Sequence, residues 1–196
     1  MLVNGSASCE GYAKAAKLLL DKAGIENYVI TGTAKREDGA SEGHMWNVVF
    51  IDGKPYNLDL TWDDPIGEGV TQNKRYAYFN ITDEEILKTH TFSDASACCT
   101  ATDSNYFVKL GRQFDGYNAE MKTALSNMFG GHKSGDKLDV RFSSEDAYQR
   151  AIDGLLKKEE IYRLLSIADA GKGGFSTTQI NYIADDTHCV IEFILV

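Results

Sequence analysis

The sequence predicts an α+β fold in two parts, on three observations. Apolar residues recur at helical spacing directly after Ser8-Cys9, as Tyr12, Ala15, Ala16, Leu19, Leu20 and Ala23. Residues 44–51 and 54–61 alternate in character and flank Asp52-Gly53, a dipeptide that suits a two-residue hairpin turn. Residues 93–104 are small and polar, and beyond them strand-like and helix-like segments alternate again. A chain of 196 residues that is 43% hydrophobic and 25% charged can bury a core in each part. The expected domains are residues 1–95 and a smaller α+β unit at residues 104–196.

Ser8 is a suitable N-cap, its hydroxyl placed to accept a bond from a free amide of the first turn, which makes Cys9 the first residue of a buried amphipathic helix. The positive end of that helix favours a thiolate at Cys9. Gly24 stops the helix, a strand follows over residues 27–34, and a polar loop over residues 35–43 delivers the chain to His44. In the hairpin, Ile51 opposite Lys54 sets a register in which Trp46 faces Asp59 and His44 faces Thr61. His44, Trp46, Val48 and Phe50 then share a face with Asn57, Asp59 and Thr61, and His44 and Asp59 become diagonal neighbours close enough for an imidazole to meet a carboxylate. The opposite face, with Met45, Val49, Ile51, Tyr56, Leu58 and Leu60, is apolar enough for core.

Trp62-Asp63-Asp64-Pro65 opens a loop running to Asn73, in which the two aspartates read as a solvated turn rather than a metal or acid pair. Residues 74–79 read as a strand. Thr82 and Glu85 form a capping box for a short helix ending near His90, which makes His90 a helix-end or packing residue rather than a second base.

The second part reads as a strand at 106–110, a helix at 117–129, a strand at 137–142, helices at 145–156 and 159–170, and a hairpin of 178–183 with 189–195. It carries no catalytic constellation. Gly171-Lys172-Gly173-Gly174 follows a helix and precedes a strand, the reverse of a phosphate-loop context, and reads as a flexible connection.

A formal charge of −9 argues against a nucleic acid or an acidic membrane surface as partner, and without an 18-residue apolar run no membrane insertion is expected. Four cysteines are too few for a disulfide framework in a chain of this length. A metal cluster of His90, Cys98, Cys99, His188 and Cys189 lacks ligand spacing. Only Cys9 has an activating context.

Cys9, His44 and Asp59 are the parts of a thiol nucleophile with its base and its orienter. Each alone is more commonly a packed cysteine, a satisfied strand histidine or a turn aspartate. Packing does not explain the three together.

Here the sequence resembles the transglutaminase-like superfamily, in the bacterial branch that shows C-E-G-Y-A on a helix, then H-x-W-N, then Y-x-x-D-x-T-W-D-D-P. The match covers about the first 90 residues, through Tyr78-Phe79-Asn80 and Thr82-Asp83-Glu84-Glu85. The resemblance implies a cysteine-proteinase-like core in which the Cys-bearing helix packs on an antiparallel sheet, with Cys9 as nucleophile, His44 as general base and Asp59 as orienter. It implies acyl transfer through a thioester on a peptide or protein substrate, without metal or organic cofactor. Similar bacterial proteins are often secreted or cell-surface modules. Family domains usually carry helices ahead of the cysteine that wall the cleft, and the eight residues before Cys9 lead to the expectation either of a longer protein that supplies them or of a member with an open cleft. The polar, Gly-containing loops at 35–43 and 63–73 leave solvated edges, which favours a peptidase or amidase over a glutamine transglutaminase. A catalytically silent binding or scaffold module is the alternative from outside enzymology.

Overall fold

The computed structural model describes residues 8–36, 39–64, 76–93 and 97–196. The chain forms two compact units that divide between Lys109 and Leu110. The end of the first unit is fixed by Asn105, whose side-chain amide bonds the carbonyls of Phe79 and Asn80 while its oxygen accepts from Phe107 N–H. That last bond starts a helical turn, so α3 (Tyr106–Lys109) replaces the strand that Tyr-Phe-Val suggested, with Phe107 wholly buried.

The first unit begins with α1 (Cys9–Lys22). Ser8 has the extended backbone of an N-cap, but its side chain makes no capping bond, contrary to the expectation, so the first amides of the helix are not taken by the hydroxyl. The helix is also less buried than its periodicity suggests. Tyr12, Ala13 and Ala16 are buried, whereas Leu18 and Leu19 are about half exposed, at 47% and 55%. The helix is fastened to the sheet by Asn47, whose side chain donates to Ala13 O at 3.0 Å.

The sheet beside it has the order β4-β3-β2-β1-β5 and is antiparallel throughout. Its strands are β1 (Asn27–Lys35), β2 (Ser41–Ile51), β3 (Lys54–Leu58), β4 (Phe79–Ile81) and β5 (His90–Phe92). The register predicted for the hairpin holds from Ile51↔Lys54 to Asn47↔Leu58. Beyond Leu58 the strand ends three residues early, because the Asp59 carboxylate accepts from Thr61 N–H and Trp62 N–H and turns the chain. The loop expected at 35–43 is shorter than thought, since β1 runs to Lys35 and β2 starts at Ser41. Of the strand expected at 74–79, residues 74 and 75 lie outside the described residues, as does the loop segment 65–73.

Thr82 and Glu85 form the expected capping box, but the helix they open, α2 (Asp83–Ile86), lasts barely a turn. The β-branched and aromatic run Thr89-His90-Thr91-Phe92 then pairs with Gly32–Ala34 of β1, which puts His90 on a strand and not at a helix end.

Apolar residues fill both faces of the sheet. Ile30, Trp46, Val48, Ile81 and Ile86 cluster on one, and Val49, Tyr56 and Leu58 on the other with Leu20 of α1 packed against them. In a flat sheet β3 and β5 would stand about 14 Å apart, three strand spacings. A hydrogen bond nevertheless joins His90 to Asp59, so the sheet curls toward the face bearing His44 and Trp46. Gly32 lines the hollow: a Cβ there would lie 2.0 Å from Thr91 O and 2.8 Å from Trp46 Cη2.

In the second unit a sheet of order β6-β7-β9-β8 is formed by β6 (Gln113–Phe114), β7 (Lys137–Phe142), β8 (Ile180–Asp185) and β9 (Val190–Leu195). The two-residue β6 runs parallel to β7 and carries too little sequence to be foreseen. Packed with it are α4 (Ala119–Phe129), α5 (Glu145–Ala151) and α6 (Glu160–Asp169), around Leu125, Phe129, Val140, Tyr148, Leu165 and Phe193. The helix expected at 145–156 widens into a π-helix over Ile152–Lys157, where Gly154 passes so close to Tyr117 that a Cβ would lie 2.3 Å from its hydroxyl. The Gly171–Gly174 connection is held rather than loose. The Asp169 carboxylate accepts from the Gly173 and Gly174 amides, occupying the donors a phosphate would need.

Candidate active site

Asp59 is fully buried, and its two oxygens do different work. Oδ1 accepts from the amides of Thr61 and Trp62 at 2.9 and 3.3 Å and makes the turn. Oδ2 accepts from two imidazoles, His44 Nε2 at 2.6 Å and His90 Nε2 at 3.1 Å. Since a carboxylate only accepts, each Nε2 carries the hydrogen, and Nδ1 of His44 is the ring nitrogen left for other chemistry. Burial pushes the Asp59 carboxyl up, but the hydrogen bonds and charges of His44 and His90 outweigh it and hold the group down at about 2.

His44 and Asp59 meet, but Asp59 reaches His44 from the turn after Leu58 and not from the strand position opposite Trp46 that the hairpin register gave it. His90 was misread from sequence. It is 3% exposed, and its Nδ1 lies 2.8 Å from the Thr89 hydroxyl. The signal that would have found it was the alternation from Thr89 to Phe92, a short strand immediately after a weak helix.

Aromatic rings close around the three groups. Trp62 lies 4.7 Å from His90 and 5.8 Å from His44 between ring centres, and Trp46 lies 5.1 Å from His90. Trp46 is itself fixed by donating Nε1–H to Asn57 at 3.1 Å. Such a lining lowers the local dielectric, which strengthens the imidazole–carboxylate bonds.

Cys9 sits at the first helical position of α1, partly buried. One turn on, Tyr12 donates its hydroxyl hydrogen to Asp64, which straps α1 to the turn that begins at Asp59. Asp63, read as solvated, is instead buried, and accepts from Tyr78 N–H at 2.9 Å. Among the described residues no hydrogen bond joins Cys9 Sγ to His44. The structure thus brings His44, Asp59 and His90 into contact, and holds Cys9 at the start of a helix that Tyr12 straps to Asp64 and that packs through Asn47 and Leu20 on the face of β2 alternate to His44.

The same three groups have ligand atoms within 4.8 Å of one another, as a metal site would. Two ligands of a tetrahedral zinc, each about 2.0–2.1 Å from the metal, stand roughly 3.3 Å apart, whereas His44 Nε2 and Asp59 Oδ2 are separated by 2.6 Å, the length of a charge-assisted hydrogen bond. Of the histidines in the cluster weighed from sequence, His90 bonds Asp59 in the first unit and His188 bonds Asp185 in the second.

No model of a known protein family matches the chain, and no curated protein matches it. What stands is an α+β protein whose first unit buries a carboxylate shared by two imidazoles beside a helix that starts at a cysteine. Among the described residues, no helix is long and apolar enough to cross a membrane.

Proposed function

We propose that the first unit is a thiol-dependent acyl-transfer core of the transglutaminase-like superfamily, cleaving amide bonds of peptide or protein substrates. The observation that carries the reading is the buried His44–Asp59 bond, which fixes the imidazole with Nε2–H on the carboxylate and Nδ1 as base. His44 Nδ1 takes the proton of Cys9 Sγ as the thiolate attacks the carbonyl carbon. The tetrahedral intermediate collapses with loss of the C–N bond, and the same proton passes to the leaving amine. Water then gives a proton to Nδ1 and attacks the thioester, and the departing thiolate is reprotonated. The Cys9 backbone amide, at a helix N-terminus, is the oxyanion donor. Hydrolysis is favoured over transfer to an amine because the segments 35–43 and 63–73 are polar and Gly-containing in sequence, as solvated edges would be.

The test is alkylation with iodoacetamide at pH 6, read site by site by mass spectrometry. Cys9 should react far faster than Cys98, Cys99 or Cys189, with Cys99 slowest, its thiol pushed up to about 12 by burial and by Asp83. Equal, slow labelling of all four sinks the proposal. Incubation with a glutamine-peptide library and a primary amine then separates cleaved or deamidated products from amine adducts. A second reading, a silent binding or scaffold module, is favoured by the missing hydrogen bond between Cys9 and His44, and an unreactive Cys9 with no product would select it.

A further inference from the structure

We propose that His90 is a positioning residue for this site, acting on His44 through Asp59; the inference rests on the acyl-transfer reading above. Both ring nitrogens of His90 are engaged within the protein, Nδ1 with the Thr89 hydroxyl and Nε2 with Asp59. Its Nε2–H ends on the same Oδ2 that receives His44, at 3.1 Å against 2.6 Å. A carboxylate in that position can rotate about its Cβ–Cγ bond, and among the described residues Oδ1 is held by two amides of its own turn, the second at 3.3 Å. A second donor arriving from β5, on the far side of the curled sheet, fixes where Oδ2 lies. His44 inherits its orientation from that oxygen.

His90 is itself prevented from turning. Nε2 gives its hydrogen to Asp59, which in the neutral ring leaves Nδ1 as the acceptor facing the Thr89 hydroxyl at 2.8 Å, a hydroxyl that also lies 3.4 Å from Ile86 O. Tyr78 OH lies 3.3 Å from the same hydroxyl, which extends the chain to Asp59–His90–Thr89–Tyr78. The rings of Trp46, Trp62 and Tyr78 enclose the imidazole at 5.1, 4.7 and 5.5 Å between centres. A histidine needed only to fill space would need neither partner, and here both ring nitrogens are bonded.

The experiment compares wild type with His90→Leu, His90→Gln and Thr89→Val, reading the Cys9 alkylation rate at pH 6 and the unfolding midpoint of each. Leucine nearly preserves the volume and removes the donor, while glutamine returns an N–H close to the Nε2 position. The Leu variant should alkylate 10- to 100-fold more slowly, on the scale expected of a misplaced catalytic group. The Gln variant should recover most of the rate, and Thr89→Val should fall between. A fast wild type with an equally fast Leu variant overturns the role of His90 and leaves the acyl-transfer reading standing. A Gln variant as slow as Leu also overturns it, because donation would then not be the means. If His90→Leu does not fold, a Thr89→Val rate equal to wild type overturns it instead. A wild-type Cys9 as slow as the other cysteines rejects both the function and this role.

Discussion

Tyr12 donates its hydroxyl hydrogen to Asp64, 52 residues along the chain, and so ties the helix that starts at Cys9 to the turn that starts at Asp59. That hydrogen bond and burial together raise the Tyr12 phenol to about 12. The neutral phenol is the bonded form, so its contribution is fully present below the ordinary value near 10 and is lost as pH rises through about 12. Tyr12→Phe should cost about 1 kcal/mol of stability, the site being partly solvated. The larger effect should fall on Cys9, whose alkylation slows once the helix start can drift from His44. Denaturant midpoints and alkylation rates on one preparation check both, and a fully reactive Cys9 in the Phe variant would show that the strap is dispensable.

Asp59→Asn separates the two duties of this side chain. Asparagine keeps an acceptor for the Thr61 and Trp62 amides, so the turn should form. Its NH₂, however, would face the N–H groups of His44 and His90, and both rings would have to change tautomer or break contact. The expected outcome is a stability loss of about 1–3 kcal/mol with a turnover loss on the order of 10⁴. Activity per folded molecule equal to wild type would mean that Asp59 serves the turn alone.

The pH dependence has a definite sign. Asp59 is lowered to about 2 in the folded protein, against about 3.9 for a free side chain. Its contribution is therefore complete above the unfolded value and lost as pH falls through about 2, a window that holds roughly 2 kcal/mol. Denaturant unfolding between pH 5 and pH 2 should show wild type losing that much more than Asp59→Asn. Parallel curves for the two proteins would contradict it.

How much of this was legible in the sequence depended on whether information was local. The Asp52-Gly53 turn made the hairpin register legible from Ile51↔Lys54 to Asn47↔Leu58, because side-chain period 2 turns one known pair into its neighbours, while Asp59 comes to His44 from the turn beyond that ladder. The start of α1 at Cys9 was legible from the Ser8-Cys9 junction and the spacing that follows. His90 was not. Its contact with Asp59 joins β5 to the turn after β3, three strand spacings away in the sheet, and no local pattern records that approach. Asp63 and Asp64 were misread for the same reason, since their partners Tyr78 and Tyr12 are 15 and 52 residues away.

Metal removal should change nothing. The 2.6 Å contact between His44 and Asp59 is a hydrogen bond in full use, and a cation could enter only by breaking it. Dialysis against EDTA is thus expected to leave Cys9 alkylation and turnover at wild-type levels, while added Zn²⁺ should slow both by competing for the imidazoles and the thiolate. Loss of activity on chelation, restored by one metal, would replace the thiol mechanism with a metal-dependent one.

Gly32→Ala tests the curvature on which the site stands. Gly32 pairs with His44 on β2 and with Phe92 on β5, so it lies between the two strands that supply the imidazoles. Its backbone needs no left-handed conformation, and the constraint is purely one of space: a methyl group would lie 2.0 Å from the Thr91 carbonyl oxygen and 2.8 Å from the Trp46 ring. Neither neighbour can yield cheaply. The first is backbone in the β1–β5 ladder, and the second is a ring 1% exposed and pinned to Asn57. Relief must come from moving β5 away from β1, which draws His90 off Asp59. The expected result is a loss of about 3 kcal/mol, at the upper end for overpacking, together with slow alkylation of Cys9. Gly53→Ala, in the open hairpin turn at φ 75°, serves as the control, for it strains backbone without touching the hollow. It should lower stability by a smaller amount and leave Cys9 reactivity intact. If Gly32→Ala folds with wild-type stability and a fully reactive Cys9, then the close approach of β5 is not what holds the two imidazoles on one carboxylate.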